Sequence, residues 1–188
     1  MKNPVESLLE DDHESLGQLL TELDGELTKN NFPRAFELLD LFWARLAIHI
    51  RAENLHLFPA LANARASLFT GKGGLPTRDE AHNVLLQLRS DHDFFMKELA
   101  EMIKRARRIR AGQAEDFNVA EELRRRLTVI RKRLEAHNRL EEERTYAWPP
   151  LVFDEPTMAK LCERLRHELE NLPPRFAWEL WSDDLVDC

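Results

Sequence analysis

The chain has 188 residues, of which 43% are hydrophobic and 32% charged, with six glycines and a formal net charge of −7. That length allows one domain with a sizeable core, and the composition suits a helical protein better than a sheet-rich one. The acidic balance argues against nucleic acid as a partner, and two cysteines, Cys162 and Cys188, make no disulfide framework.

The amino-terminal stretch MKNPVESLLEDDHES carries acids where a secretion signal needs an apolar run, so a cytoplasmic setting is expected. From about Pro4 to Lys29 a first helix is expected, with Leu9, His13, Leu16, Leu20, Leu23 and Leu27 on one stripe. A second is expected from about Phe32 to Ala64, with Leu38, Leu39, Phe42, Leu46, His49 and Glu53 on its stripe. His56 continues that face at helical spacing. Asp40 and Arg45 interrupt this most apolar segment, so it does not read as a membrane span. After the breaker GKGGLP, a third helix begins near Thr77 and carries Leu85, Leu88, His92, Phe95, Leu99 and Ile103. The fourth, from about Phe117 to Tyr146, carries Leu123, Leu127, Ile130, Leu134, His137 and Glu141, and Pro149 and Pro150 mark its end. A fifth amphipathic segment spans Glu155 to Leu172, before an aromatic and acidic tail. The arginines of KRARRIR and of the fourth helix lie mainly between the stripe residues and among acids, as a solvated face does.

Short links between the first four helices predict an all-α, up-down-up-down antiparallel four-helix bundle over residues 1–153, with a C-terminal helix and tail over 154–188. In such a bundle, residues of neighbouring helices share a level when their midpoint falls in the connecting loop. Midway between His13 and His49 lies Asn31; between His49 and His92, the Thr70–Gly71 link; between His92 and His137, the Ala114–Glu115 link. All three midpoints fall in expected loops. The four histidines therefore share one layer, with Glu53 and Glu141 one turn further along their helices. The midpoint of His82 and His137 falls inside a helix, which puts His82 roughly 15 Å from the layer.

Burying four imidazoles and two carboxylates without compensation costs several kcal/mol per charged group, and a cation removes that difficulty. Histidine with carboxylate suits iron, zinc, copper or manganese, and six ligands fit two octahedral metals better than one tetrahedral zinc. A ferritin-like di-iron site needs Glu-x-x-His on two helices outside the lone-glutamate pair, and the second hairpin offers none.

DDHES around His13, HIRAENLHLFP from His49, LRSDHDFF around His92 and HNRLEEERTYAWP from His137 resemble the hemerythrin-like, or HHE cation-binding, family over about Met1 to Phe153. The resemblance implies a non-haem di-iron centre with a bridging oxo or hydroxo group, held by His13, His49, Glu53, His92, His137 and Glu141. Oxygen-carrying members differ: they place a second histidine four residues on in the third helix, where this chain has Met96, and an aspartate where it has Glu141. The ligand set looks more like that of the iron-cluster-repair proteins and the F-box iron sensor. The resemblance therefore implies a metal-binding or sensing protein more than a classical enzyme, with oxygen, nitric oxide or peroxide as its ligand. The alternative is an iron-handling or redox enzyme that repairs iron–sulfur clusters, donates iron or reduces peroxide. His56 is expected at the wall of the pocket, or as an extra ligand or proton relay. The C-terminal helix and the Trp178 and Trp181 tail are expected to fold back on the bundle or to serve a homodimer or protein partner.

Overall fold

A computed structural model describes residues 2–111, 119–173 and 176. Among the described residues the fold is all-helical; its one β-bridge pairs Thr70 with Thr77. The helices α1 (Pro4–Thr28), α2 (Phe32–Ala52), α3 (Phe58–Asn63), α4 (Arg78–Arg110), α5 (Val119–Glu143), α6 (Pro149–Val152) and α7 (Glu155–Leu169) follow one another in chain order. No helix of the described residues is long and apolar enough to cross a membrane.

Local chemistry sets the helix starts. At the head of α1 the Asn3 side chain accepts from the Val5 and Glu6 backbone N–H groups, Glu6 reaches back to the Asn3 N–H, and Pro4 occupies the first turn. Thr77 and Glu80 close the same reciprocal box at the head of α4. Asn30 takes a positive φ of 56° to turn the chain into α2, a conformation that asparagine tolerates. The connection before α4 uses Gly71, Gly73 and Gly74, all with positive φ.

Three helices differ from the sequence expectation, and the last of them, α7, ends at Leu169 instead of Leu172. The second does not run unbroken to Ala64: between α2 and α3 lies one π-helical turn, Glu53–Leu57, in which the Phe58 N–H bonds to the Glu53 carbonyl five residues back. Pro59 explains the wide turn. It has no N–H to give, and its ring would clash with the Leu55 carbonyl in a regular α-helix. The fourth helix stops at Glu143 instead of Tyr146; Arg144 leaves helical geometry, and a 3-10 turn, Thr145–Ala147, follows. Its expected start at Phe117 and the link around Ala114 lie outside the described residues, as do Trp178, Trp181 and Cys188.

The apolar stripes pack into two large clusters. One gathers Leu16 to Leu27 of α1, Leu38 to Ile50 of α2, Phe95 to Ala106 of α4 and Val119 to Leu134 of α5. The other gathers Val5 and Leu9, the π turn and α3, Ala81 to Leu88 of α4, Tyr146, Trp148, and Met158, Leu161, Cys162 and Leu165 of α7. α7 thus packs against α1, α2 and the π turn. His13, His49, His92 and His137 all fall, in sequence, where each helix passes from one cluster to the other. The arginines of α4 and α5 pair with acids of neighbouring helices, among them Arg105 with Glu122, Arg107 with Asp40 and Arg126 with Glu98.

Candidate metal centre

α1 contributes His13, α2 His49, the π turn Glu53, α4 His92 and α5 both His137 and Glu141; all six are buried. They meet as two pairs. His13 Nε2 lies 3.2 Å from His49 Nε2, and His92 Nε2 lies 3.2 Å from His137 Nε2. Glu141 touches both pairs: Oε2 is 3.4 Å from His13 Nε2, and Oε1 is 3.1 Å from His137 Nε2. Glu53 Oε2 also approaches both, at 3.5 Å from His49 Nε2 and 3.2 Å from His92 Nε2. Two groups of donors result, Glu53 with His92, His137 and Glu141, and His13 with His49 and Glu141.

This donor set fits metal ions. Two imidazole nitrogens about 2.1 Å from one ion and at right angles to each other stand about 3.0 Å apart, close to the spacing within each pair. Two facing Nε2 atoms can share only one proton, so their lone pairs need another electrophile. Glu53 Oε2 and Glu141 Oε1 are buried and make no hydrogen bond, although imidazole nitrogens approach both. Such orphaned acceptors are costly unless a cation meets them.

Electrostatics agree. Burial alone would lower the pKa of His13, but its bonds to Glu141 and Glu142 outweigh that and push it up to about 10. His92, also opposed by burial, is pushed up to about 9 by Glu141 and Glu53. Burial would raise the Glu141 carboxyl, yet His137, His13 and His92 hold it well below the carboxylate range. Without metal, positive imidazoles compensate the carboxylates; with metal, the cations take that place.

Around these residues stands a matched pair of supports that the sequence reading missed. Asp12 Oδ2 accepts from His49 Nδ1 at 2.9 Å, and its other oxygen accepts from Arg45 at 2.8 Å. Asp91 Oδ2 lies 3.4 Å from His137 Nδ1, and Asp91 Oδ1 accepts from Arg133 Nε at 2.7 Å. Each aspartate precedes a histidine on one helix and braces the histidine of the next. The signal was present as Asp-His at 12–13 and 91–92 and as Arg-x3-His-x3-Glu from Arg45 and from Arg133. A carboxylate on Nδ1 fixes the tautomer that leaves Nε2 free to ligate, and orients the ring. Burial opposes ionisation of Asp12, but the His49 hydrogen bond and the His49 and Arg45 charges hold its pKa at about 2. His92 has no such brace; its Nδ1 is buried without a partner, and its ring stacks on Phe58 at 5.6 Å. Asp12→Asn and Asp91→Asn are each expected to weaken metal binding by about 10–100-fold with helicity intact. Competition titration against a chelator measures this, and unchanged affinity in both variants would leave the aspartates no part in holding metal.

Tyr146 is a second omission. The break at Arg144 and the turn after it return this residue to the interior, where it is fully buried. Its hydroxyl donates to Glu53 Oε1 at 2.7 Å and stands 3.1 Å from His13 Nε2 and 3.3 Å from Glu141 Oε2. Burial and the charges of Glu141 and Glu53 raise its pKa well above the usual value, so it stays a phenol and a donor.

Three histidines remain: His167 lies in the last turn of α7, and His56 and His82 also lie away from the cluster. The π turn carries His56 off the stripe of His49 and Glu53, toward Glu168 of α7, whose Oε2 is 3.8 Å from His56 Nε2. Glu168 also pairs with Arg51. His82 is exposed on α4 and lines a surface cavity with Arg78 and Trp148.

The profile of the Hemerythrin HHE cation binding domain matches residues 5–149. The chain belongs to the hemerythrin HHE family. No curated protein and no solved structure matches it. The matched hemerythrin domain ends at Pro149, so it contains all six inward ligand candidates and Tyr146, and it stops short of α7.

Proposed function

We propose that this hemerythrin domain is a non-haem di-iron protein that binds or senses a small redox ligand such as oxygen, nitric oxide or peroxide. One observation carries the reading: Glu141 reaches a histidine of each pair, as a carboxylate bridging two metals must. His13 and His49 would hold one iron and His92 and His137 the other, with Glu53 and Glu141 in reach of both pairs. Irons held by these residues would supply one-electron chemistry to the small redox ligand.

The residues around the centre set its environment. Asp12 and Asp91 orient imidazoles, Tyr146 donates a hydrogen bond to Glu53, and Phe58 and Phe95, packed on His92 and His137, keep bulk water out. In the same proposal the four long helices run alternately up and down through residues 1–153. The alternating order of the two apolar clusters along α1, α2, α4 and α5 supports this. Residues 154–188 then form an extension whose helix α7 covers one end, in a cytoplasmic protein.

The test is elemental analysis of protein purified from iron-replete cells, followed by spectra with oxygen and nitric oxide. Two irons per chain and ligand-dependent spectra are expected. His92→Ala is expected to lower bound iron to about half or less, since it strips one donor from the Glu53 group, while His82→Ala leaves it unchanged. Equal retention in both variants would refute the shared layer.

A further inference from the structure

The six inward side chains are not equally enclosed. Glu53 and Glu141 are 0% exposed, His49 and His92 2%, His137 3%, and His13 7%. Whatever opening the centre has lies on the His13 side. There, between α1 and α5, a cavity of about 240 Å³ runs inward to His13. It is lined by Gly17, Leu20 and Thr21 of α1, and by Leu134, Glu135 and Asn138 of α5. A water occupies about 30 Å³ in the liquid, so the space holds several.

Two features of this cleft have no structural use. Gly17 sits inside α1, one turn beyond His13, where glycine costs about 0.5–1 kcal/mol relative to alanine. Its backbone is not left-handed, and a Cβ there would meet no atom within 4 Å, so neither conformation nor packing calls for it. A small residue at this position, glycine or alanine, leaves the cleft open. Asn138 Oδ1 is the second feature: this carbonyl oxygen is buried and without a hydrogen-bond partner on the cleft wall. Rotation of the Asn138 amide would turn this unpaired acceptor toward a guest in the cleft. The Glu135 carboxylate adds a hard oxygen donor, and Arg131, also on the lining, is held by the Leu20 carbonyl of α1 at 3.0 Å.

We propose that this α1–α5 cleft is the route by which a divalent cation, still carrying part of its water shell, reaches the centre at His13. Oxygen donors of this kind replace shell waters one at a time, and the imidazole nitrogens complete the exchange inside. The proposal rests on the metal-centre reading above. Blocking the cleft slows loading and removal by the same factor and leaves equilibrium affinity unchanged, because a gate alters the path and not its ends.

The experiment mixes metal-free full-length protein with cobalt(II) and follows its visible absorption by stopped flow, then follows removal by excess chelator. Gly17→Leu fills the cleft, and Thr21→Phe fills it from the next turn should the first variant fold poorly. Gly17→Ala is the control and keeps the native rate. About tenfold or greater slowing of both phases is expected, with unchanged cobalt bands and stoichiometry. Native rates in folded Gly17→Leu and Thr21→Phe would overturn the route. So would a change in affinity or bands, which would show the substitutions acting on the centre itself. Failure of the unaltered protein to take up cobalt would instead sink the metal-centre reading.

Discussion

Glu141→Ala is expected to lose both metals, reducing iron from two per chain to well under one. Glu141 is the one residue common to both groups of donors, and its two oxygens reach histidines on opposite sides of the layer. Losing a terminal imidazole weakens one ion, whereas losing a shared carboxylate removes a donor and a neutralising charge from both. The partners left behind make the loss worse, because His13, His137 and Tyr146 all lose a buried acceptor. Glu143→Ala, at an exposed position two residues on, serves as the control and keeps its iron. Elemental analysis of the two variants, purified alike, decides the matter. Two metals retained in Glu141→Ala would remove the shared carboxylate from the account.

Removing the metal from the intact chain has the other large effect. A ligand that binds only the folded state at about a thousand times its dissociation constant stabilises by about 4 kcal/mol. For a domain of this size that is roughly 8–16 °C in melting temperature. Chelation is therefore expected to lower the melting point by that amount while far-ultraviolet circular dichroism at 25 °C hardly changes. Helix survives because the cluster from Leu16 to Leu134 is held by apolar burial that needs no metal. Imidazoles charged by their glutamate partners also keep that layer tolerable without metal. A melting point unaffected by chelation, in protein shown to have held iron, would mean that the metal contributes nothing to the fold.

How much was legible beforehand follows from which interactions are periodic. The stripe residues of α1, α2, α4 and α5 repeat at helical spacing, and all of them are buried in the structure. The midpoints of His13, His49, His92 and His137 anticipated their meeting, because helix rise is uniform and the loops are short. His82 stays outside the cluster, as its register implied. What escaped was whatever depends on a departure from uniform rise. The π turn at Pro59 and the break at Arg144 are single events; one turned His56 toward Glu168, and the other brought Tyr146 inward. The Asp12 and Asp91 braces escaped for another reason. An aspartate beside a histidine reads as surface charge until the neighbouring helix shows which ring it reaches.

The amino-acid order alone determined that the chain is helical, which faces of its helices are apolar, and which six polar side chains interrupt those faces at one level. Tertiary structure decided how those six pair, how the two carboxylates reach both pairs, which side chains hold the rings, and where a cleft reaches the layer. The division has a physical cause. Helical periodicity is a property of neighbours along the chain, whereas a hydrogen bond or an opening between α1 and α5 joins residues more than a hundred positions apart. Only packing, with its particular rotations and breaks, brings such residues to a few ångströms.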